Sequence, residues 1–346
     1  MNDQMKKRVA VVIPIKNERH GLMSLLESLE QQMGTQDEVI CIDAGSTDGS
    51  WELLTRFAKT HPQFRIAREA GAYPGAARNA AIRRTDARFI AQIDGGNIPC
   101  ENWLSEIIDP LLNGQADYVM GDVAIKPVMK TIKGRHVDMG CFYGASIFRD
   151  PHLRAKQLRP PAGGASVAYK RHIWQTAGGF PEWLRTGEDR LFAQKLNRQD
   201  LRIVFAPQAI VYWEIGPTLI DFLKRHLYHQ RVKVRQIRKK KKGLKGIALQ
   251  FSFLITLAAA IFHPTWWPLP VACFGVAVLY QTRKSVRAYS RRSHKQDIPS
   301  PMVVIIFLVL ESMVFPAKLL GTFQALFRSR RDGQCNQHRV EEYLAS

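Results

Sequence analysis

What is scarce in this chain of 346 residues narrows the field first. Its five cysteines, Cys41, Cys100, Cys141, Cys273 and Cys335, form no Cys-x-x-Cys pair. The sequence therefore offers neither a zinc ribbon nor a disulfide framework, and it suits a reducing compartment. No Gly-x-Gly-x-x-Gly follows the first apolar strand and no Gly-x-x-x-x-Gly-Lys-Ser/Thr occurs at all, which argues against dinucleotide enzymes and P-loop hydrolases. Acids are missing from three stretches: Lys224–Lys245 holds eleven Lys or Arg, Arg283–Lys295 six and Arg328–Arg331 three, together equal to the net charge of +20. The remaining thirty basic residues are balanced by thirty acids, so the N-terminal body is close to neutral. Basic residues interleaved with aromatics are absent from that body, so nucleic acid is not an expected partner. Met1–Arg8 is polar and the apolar Val9–Ile15 after it is only strand-length, so no secretory leader is expected.

Long apolar runs occur only near the C-terminal end. Ile247–Phe262 and Pro264–Tyr280 are separated by His263-Pro264, and Met302–Phe327 is interrupted by Glu311, Pro316 and Lys318. At about 1.5 Å per residue against a hydrocarbon core of about 30 Å, the first two are short but usable spans and the third is long enough. Each has a basic stretch beside it. Positive charge stays on the cytoplasmic side, so the first two runs read as a hairpin with both ends, and the N-terminal body, at the cytoplasmic face of the cell (inner) membrane. Arg328, Arg330 and Arg331 suggest that the third segment also returns, kinked or re-entrant around Pro316. The run Arg238–Lys242 fits attraction to anionic lipid headgroups. The expected division is a body over residues 1–235 and a basic juxtamembrane and membrane region over 236–346.

The body alternates strand and helix. Val9–Ile15 is a β-branched run suited to a strand buried on both faces. Asn17 is placed as the cap of a helix with Leu22, Leu25, Leu26 and Leu29 at helical spacing. Glu38–Asp43 is a second strand, followed by a Gly-rich turn through Asp48 into a second helix. Phe64–Arg68 is a short strand, Pro74–Arg84 a helix with Pro near its start, and Arg88–Asp94 a further strand. Such alternation over short loops predicts an α/β fold with a mostly parallel sheet and helices on both faces. Asp43 and Asp94 then end two strands on one edge, where ligands of open α/β sheets sit. An isolated Asp94-Gly95-Gly96-Asn97 is also ordinary turn chemistry. Two acids on one edge suit a nucleotide, one accepting hydrogen bonds from ribose or base and the other helping a divalent cation against a diphosphate.

Five motifs in order carry a resemblance: Pro14-Ile15-Lys16-Asn17-Glu18, Asp43-Ala44-Gly45-Ser46-Thr47-Asp48-Gly49, Pro74-Gly75-Ala76-Ala77-Arg78-Asn79, Asp94 at a strand end, and Gly187-Glu188-Asp189. Over roughly Val9 to Arg235 the chain resembles the inverting family-2 glycosyltransferases of GT-A fold. The resemblance implies that Pro14, Asn17 and Glu18 line a nucleoside pocket, that Asp43 binds base or ribose within the Asp43–Asp48 turn, and that Arg78 approaches base or phosphates. Asp94, with Gly95 after it, stands at the family's first metal-site acid, and Gly96 occupies the place of the second acid in Asp-x-Asp. Dependence on Mg²⁺ or Mn²⁺ is thereby left open, with Asn97 as a further candidate oxygen ligand; Mg²⁺ keeps much of its water shell and can bind through one carboxylate. The family's base falls on Asp189, with Glu188 in support; as plain chemistry, two acids at a helix start also complement its dipole.

The remaining stretches are read from the residues. Asp122–Pro161 is polar and reads as acceptor-side loops. Pro160–Ser166 is a Gly-containing loop, either a turn or a close approach of backbone to a sugar, before the short strand Val167–Tyr169. Arg231 and Arg235 are candidates to meet the leaving diphosphate, or else a solvated basic face, with His226 and His229 as alternative metal ligands. The Gln-x-x-Arg-Trp of processive synthases is not matched by Gln230–Val234, which favours a single transfer. The expected activity is transfer of one sugar from a nucleotide-sugar donor to a lipid-linked saccharide acceptor. A polyprenyl-phosphate glycosyltransferase and a non-catalytic nucleotide-sugar-binding or scaffold relative are the alternatives.

Overall fold

The computed structural model describes residues 8–132, 135–147, 164–214, 219–230 except 221, 225 and 229, 244–290 and 300–346. The chain divides into two compact units, one of residues 1–124, 151–214 and 339–346, the other of 125–150 and 215–338.

The first unit is built in chain order from β1 (Val9–Ile15), α1 (Arg19–Glu30), β2 (Asp37–Asp43), α2 (Ser50–Thr60), β3 (Phe64–Arg68), α3 (Pro74–Ile82), β4 (Phe89–Ile93), β5 (Asn97–Pro99), α4 (Trp103–Leu112) and β6 (Tyr118–Ile125). After β7 (Met129–Ile132), β8 (Arg135–Asp138) and α5 (Met139–Ile147), which fall in the second unit, come β9 (Ser166–Lys170), α6 (Arg171–Thr176), α7 (Glu188–Leu196) and β10 (Ile203–Trp213). Eight strands form one sheet in the order β3-β2-β1-β4-β9-β6-β10-β5.

Alternation along β1 builds two cores at once. Val9, Val11, Ile13 and Ile15 face the leucines of α1 with Leu54 of α2 and Trp103 of α4. Ala10 and Val12 face the opposite side, against Ala77, Ala80 and Ala81 of α3 and Phe192 of α7. This is the period-two geometry of a strand covered on both faces, and the alanines of α3 let that helix lie close to the sheet. The parallel part comprises β3, β2, β1 and β4, in register Ile15↔Asp43 and Val12↔Gln92. Beyond β4 the sheet turns antiparallel, β9 pairing with both β4 and β6.

The second unit has a core of Phe142, Tyr143, Phe222, Phe307, Leu310 and Val314 among its members. It contains α8 (Leu244–Phe262), a single 3₁₀ turn at Pro264–Trp266, and α9 (Pro268–Ser290). The helix α10 (Ser300–Ala345) runs unbroken through Pro316. Among the described residues only Pro301–Gln324 is long and apolar enough to cross a membrane; Ile247–Phe262 is shorter.

Two local readings of the sequence change. Asn17 does not cap α1: the cap position is Glu18, with no side-chain capping bond, and Asn17 sits in the left-handed region at φ 58. Its amide oxygen accepts the Thr47 N–H at 2.9 Å instead, because the β2–α2 turn lies alongside and offers an unpaired donor. The stretch Asp122–Pro161 is not all loop, since the end of β6, the β7–β8 hairpin and α5 occupy its described part. Pro160–Gly163, His229, Arg231, Arg235 and Arg238–Lys242 lie outside the described residues.

Candidate active site

The carboxyl ends of β1, β2 and β4 place three loops side by side, and backbone hydrogen bonds to side chains lock two of them together. Asn17 N–H donates to Ser46 Oγ at 2.9 Å, Glu18 N–H to Ser50 Oγ at 3.0 Å, and Arg19 N–H to Asp48 Oδ2 at 3.0 Å. Asp48 Oδ1 accepts both the N–H and the hydroxyl of Ser50. Burial opposes the charge on Asp48, but the bonds from Ser50 and Arg19 outweigh it and hold the carboxyl below its ordinary value. Both Asp48 oxygens thus serve the junction of the two loops.

Asp43 closes the same turn from below. Its carboxylate is fully buried, accepts the N–H groups of Gly45 and Ser46, and pairs with Arg68 Nε at 3.1 Å. Glycine is required at position 45, where φ is +86. The buried Asp43 carboxylate thus braces its own turn, and its partner Arg68 also lies with its guanidinium over the Trp51 ring at 5.3 Å.

The fourth component comes from α3. Arg78 is buried and reaches in two directions, Nη2 donating to Asp94 Oδ1 and Nη1 to Glu188 Oε1, both at 2.7 Å. Its guanidinium lies over Phe180 at 5.6 Å. Burial opposes the Arg78 charge, yet Asp94, Glu188 and Asp189 together push its pKa upward and keep it cationic. A side chain on Gly164 would begin 3.1 Å from Arg78 Nη2, so that glycine admits the guanidinium. Asn79, next in sequence, fixes the segment ahead of α7. Its Nδ2 donates to Phe180 O and Glu182 Oε1, and its Oδ1 accepts from Phe180 N–H and Trp174 Nε1.

Gly187, left-handed at φ 89, starts α7 and delivers Glu188 and Asp189 to the cluster. Glu188 is buried against Arg78, whereas Asp189 is only partly buried and its Oδ1 accepts the Arg190 N–H at 2.7 Å. Burial, and then the neighbouring Glu188, push the Asp189 carboxyl up to about 6, with Arg78 pulling the other way. Two adjacent acids thus have different environments: Glu188 lies in a tight ion pair with Arg78, while Asp189 is tuned toward proton exchange near neutrality.

Asp94, Arg78, Glu188 and Asp189, expected from scattered motifs, are one cluster, and Asp43 and Asp48 organise the loop beside it. Asn97 is buried and opens β5, its chain paired with Trp213. His226 is buried edge-on to Phe222 in the second unit. Ser46, Ser50, Arg68 and Asn79 carry structural parts that spacing alone does not reveal; the only signal for Asn79 was its place beside Arg78. A groove of about 460 Å³ lies between α1 and α2, lined by Glu27, Glu30, Glu52 and Arg56 among others, and contains none of the four cluster residues. No three His, Cys, Asp or Glu among the described residues are grouped to hold a metal by themselves.

Residues 10–175 match the family model described as glycosyl transferase family 2. That part of the chain is a family-2 glycosyltransferase domain. The chain is 30% identical over 209 residues to the glycosyltransferase AglE of Haloferax volcanii, covering 58% of this chain and 65% of that protein. It is 28% identical over 191 residues to the poly(ribitol-phosphate) beta-glucosyltransferase of Bacillus spizizenii, covering 54% of this chain and 28% of that one. The matches thus span less than two thirds of these relatives' own length. In fold, the chain is similar to the mannosyltransferase PcManGT from Pyrobaculum calidifontis, solved with GDP-Man and Mn²⁺. The TM-score is 0.54 at 16% identity, over 94% of this chain and 88% of the other, which supports the GT-A architecture and nothing finer.

Proposed function

We propose that the chain transfers a single sugar, with inversion, from a nucleotide-sugar to a hydroxyl of a lipid-linked saccharide at the cytoplasmic face of the membrane. The observation that carries this reading is the juxtaposition of Glu188, bonded to Arg78 at 2.7 Å, with Asp189, whose carboxyl is pushed up to about 6. An acceptor hydroxyl needs a base as the anomeric carbon is attacked, and a carboxylate of raised basicity is suited to that task. The acceptor oxygen bonds to the anomeric carbon on one face, the bond from that carbon to the diphosphate oxygen breaks on the other, and the hydroxyl proton passes to Asp189. Inversion follows from the single displacement. A polyprenyl phosphate is already ionised and has no use for such a base, so Asp189 favours the hydroxyl acceptor.

Arg78 is proposed to meet the departing diphosphate. Its buried Nε has no hydrogen-bond partner, although both terminal nitrogens are engaged. Arg231 and Arg235 are proposed to add positive charge there. Pro14, Asn17 and the Asp43–Asp48 turn are proposed to border the nucleoside. A divalent cation fits beside Asp94: Oδ1 is taken by Arg78, but the side chain remains 43% exposed. Mg²⁺ or Mn²⁺ held there, with substrate phosphates and water completing the shell, would supply charge neutralisation for the diphosphate.

Membrane attachment is proposed through residues 236–346, with residues 1–235 as the catalytic region. Its support is an apolar exterior: Ile255, Ile261, Phe262, Trp266 and Trp267 are exposed around the α8–α9 turn, as are Ile305 and Val309 on α10. Aromatic residues at a hairpin tip suit the headgroup boundary. The partners are then a nucleotide-sugar donor, a lipid-linked acceptor and anionic lipid.

The test is a panel of nucleotide-sugars supplied to the full chain with membrane lipid extract, with and without EDTA, reading release of nucleoside diphosphate and the labelled lipid product. Donor-specific release is expected, abolished by Asp189→Asn while donor binding persists. Absence of binding or release with every donor refutes the enzymatic reading; an acid-labile lipid monophosphosugar as product moves it to polyprenyl phosphate.

A further inference from the structure

The helix α7 is anchored at both ends. Its first turn brings Glu188 to Arg78 at 2.7 Å. Lys195 follows seven residues later, two turns along the same face and about 10 Å further down the axis. It is 7% exposed, and its ammonium donates to Ala177 O at 2.9 Å and to Ser346 Oγ at 3.0 Å and lies over the Tyr343 ring at 4.3 Å. Between the two anchors Phe192 packs on Phe180, the ring centroids 4.1 Å apart. Tyr343 O–H donates to Gly179 O at 2.6 Å, and Arg198 Nη1 donates to Leu344 O. Arg339–Ser346 therefore holds both the far end of α7 and the segment ahead of it, and all three belong to one compact unit.

That segment needs holding. Gly178 and Gly179, left-handed at φ 71 and 75, join it to α6 without a side chain to brace the link. Phe180 comes next, under the Arg78 guanidinium, with its N–H and carbonyl on Asn79 of α3. The neighbouring Gly179 carbonyl is taken by Tyr343.

We infer that Tyr343 is a positioning residue for the Arg78–Glu188–Asp189 cluster: by fixing the Gly179 carbonyl and the Lys195 ammonium, it sets how closely α7 lies against α3. The inference rests on the glycosyl-transfer reading above, in which Asp189 is the base. Tyr343 acts only through α7 and the Gly179–Phe180 link. A misplacement of about 1 Å at a reacting group can cost about 10²-fold in rate. Asp189 owes its raised basicity first to burial, and the charges acting on it are those of Glu188, Arg78 and Asp94. An α7 that swings away from α3 thus moves the base and admits water to it.

The test is a double-mutant cycle in the detergent-solubilised full chain with metal chelated, reading the denaturant midpoint of unfolding at pH 8 and pH 4. In the parent, Asp189→Asn is expected to raise the midpoint at pH 8 and not at pH 4. In a Tyr343→Ala background the rise at pH 8 is expected to shrink at least about twofold, because a hydrated carboxylate no longer bears the cost of burial. Tyr343→Phe keeps the ring beneath Lys195 and is expected to fall between. Turnover of Tyr343→Ala, with whichever donor of the nucleotide-sugar panel the parent uses, is expected to drop at least about tenfold, while calorimetric affinity for the matching nucleoside diphosphate stays within about twofold. A residue that merely adds stability lowers every midpoint alike, leaving the rise from Asp189→Asn and the turnover of folded enzyme unchanged; that result overturns the inference. Should Tyr343→Ala not fold, Lys195→Met takes its place in the cycle with the same expectations. If Asp189→Asn gives no rise in the parent, the reading of Asp189 as base fails first, and this inference falls with it.

Discussion

Replacing Asp189 by Asn removes a group whose ionisation costs the folded chain. Burial and Glu188 move its carboxyl from an ordinary 3.8 to about 6. Two pH units correspond to about 3 kcal/mol of free energy, an upper figure for a group that keeps some contact with water. The folded chain holds this proton more tightly than the unfolded chain does. The stabilising contribution of Asp189 is therefore complete below about pH 4 and lost as the pH rises through about 6. At pH 8 the parent bears the whole cost, whereas Asp189→Asn bears none and its amide oxygen still accepts the Arg190 N–H. The variant is expected to be more stable than the parent by up to about 3 kcal/mol at pH 8, a margin shrinking toward zero near pH 4. Unfolding by denaturant at pH 8, 6 and 4, with metal chelated, measures it. The same variant should have no transfer activity at any pH, and kcat/KM of the parent for a hydroxyl acceptor should fall below about pH 6. Equal stability at pH 8, retained transfer, or a parent rate flat from pH 5 to 8 refutes the assignment of Asp189 as a strained base.

Other residues make separate predictions. Arg78→Met strands Glu188 and Asp94 without their shared cation and is expected to cost about 3–5 kcal/mol in thermal unfolding, the penalty of breaking a buried pair from one side; an unchanged melting temperature refutes the burial argument. Asn79→Ala leaves the buried Phe180 N–H without an acceptor, so a loss of about 1–3 kcal/mol is expected, and kcat should fall more than donor affinity because the segment ahead of α7 loosens. Asp43→Ala removes the carboxylate partner of Arg68 and unpairs the Gly45 and Ser46 N–H groups, and donor binding measured by calorimetry should weaken; unaltered affinity counts against a nucleoside pocket on this edge. Tyr343→Phe removes the bond from its hydroxyl to Gly179 O, and a loss of about 1 kcal/mol is expected in denaturant unfolding.

Much of the architecture was legible in local sequence because it rests on local periodicity. The β-branched run of β1, the leucine spacing of α1 and the Pro start of α3 each follow from what a short segment must bury, and the ends of β2 and β4 follow from where apolar residues stop at Asp43 and Asp94. The sequence by itself also determined that basic stretches accompany every long apolar run, and which residues carry the family pattern. Only the tertiary structure decided what those residues touch. Asn17, an evident helix cap by position, turns its amide to a neighbouring loop because parallel strands bring that loop alongside. Arg78, Asp94 and Glu188 are far apart in the chain and become one ion-paired unit only when α3 and α7 pack on the same face of the sheet. Gly96 shows the difference most plainly. Read along the chain it is an acid lost; in three dimensions a Cβ there would lie 2.9 Å from Glu18 Oε2, because two loops at adjacent strand ends are within side-chain reach and spacing within either loop does not record it.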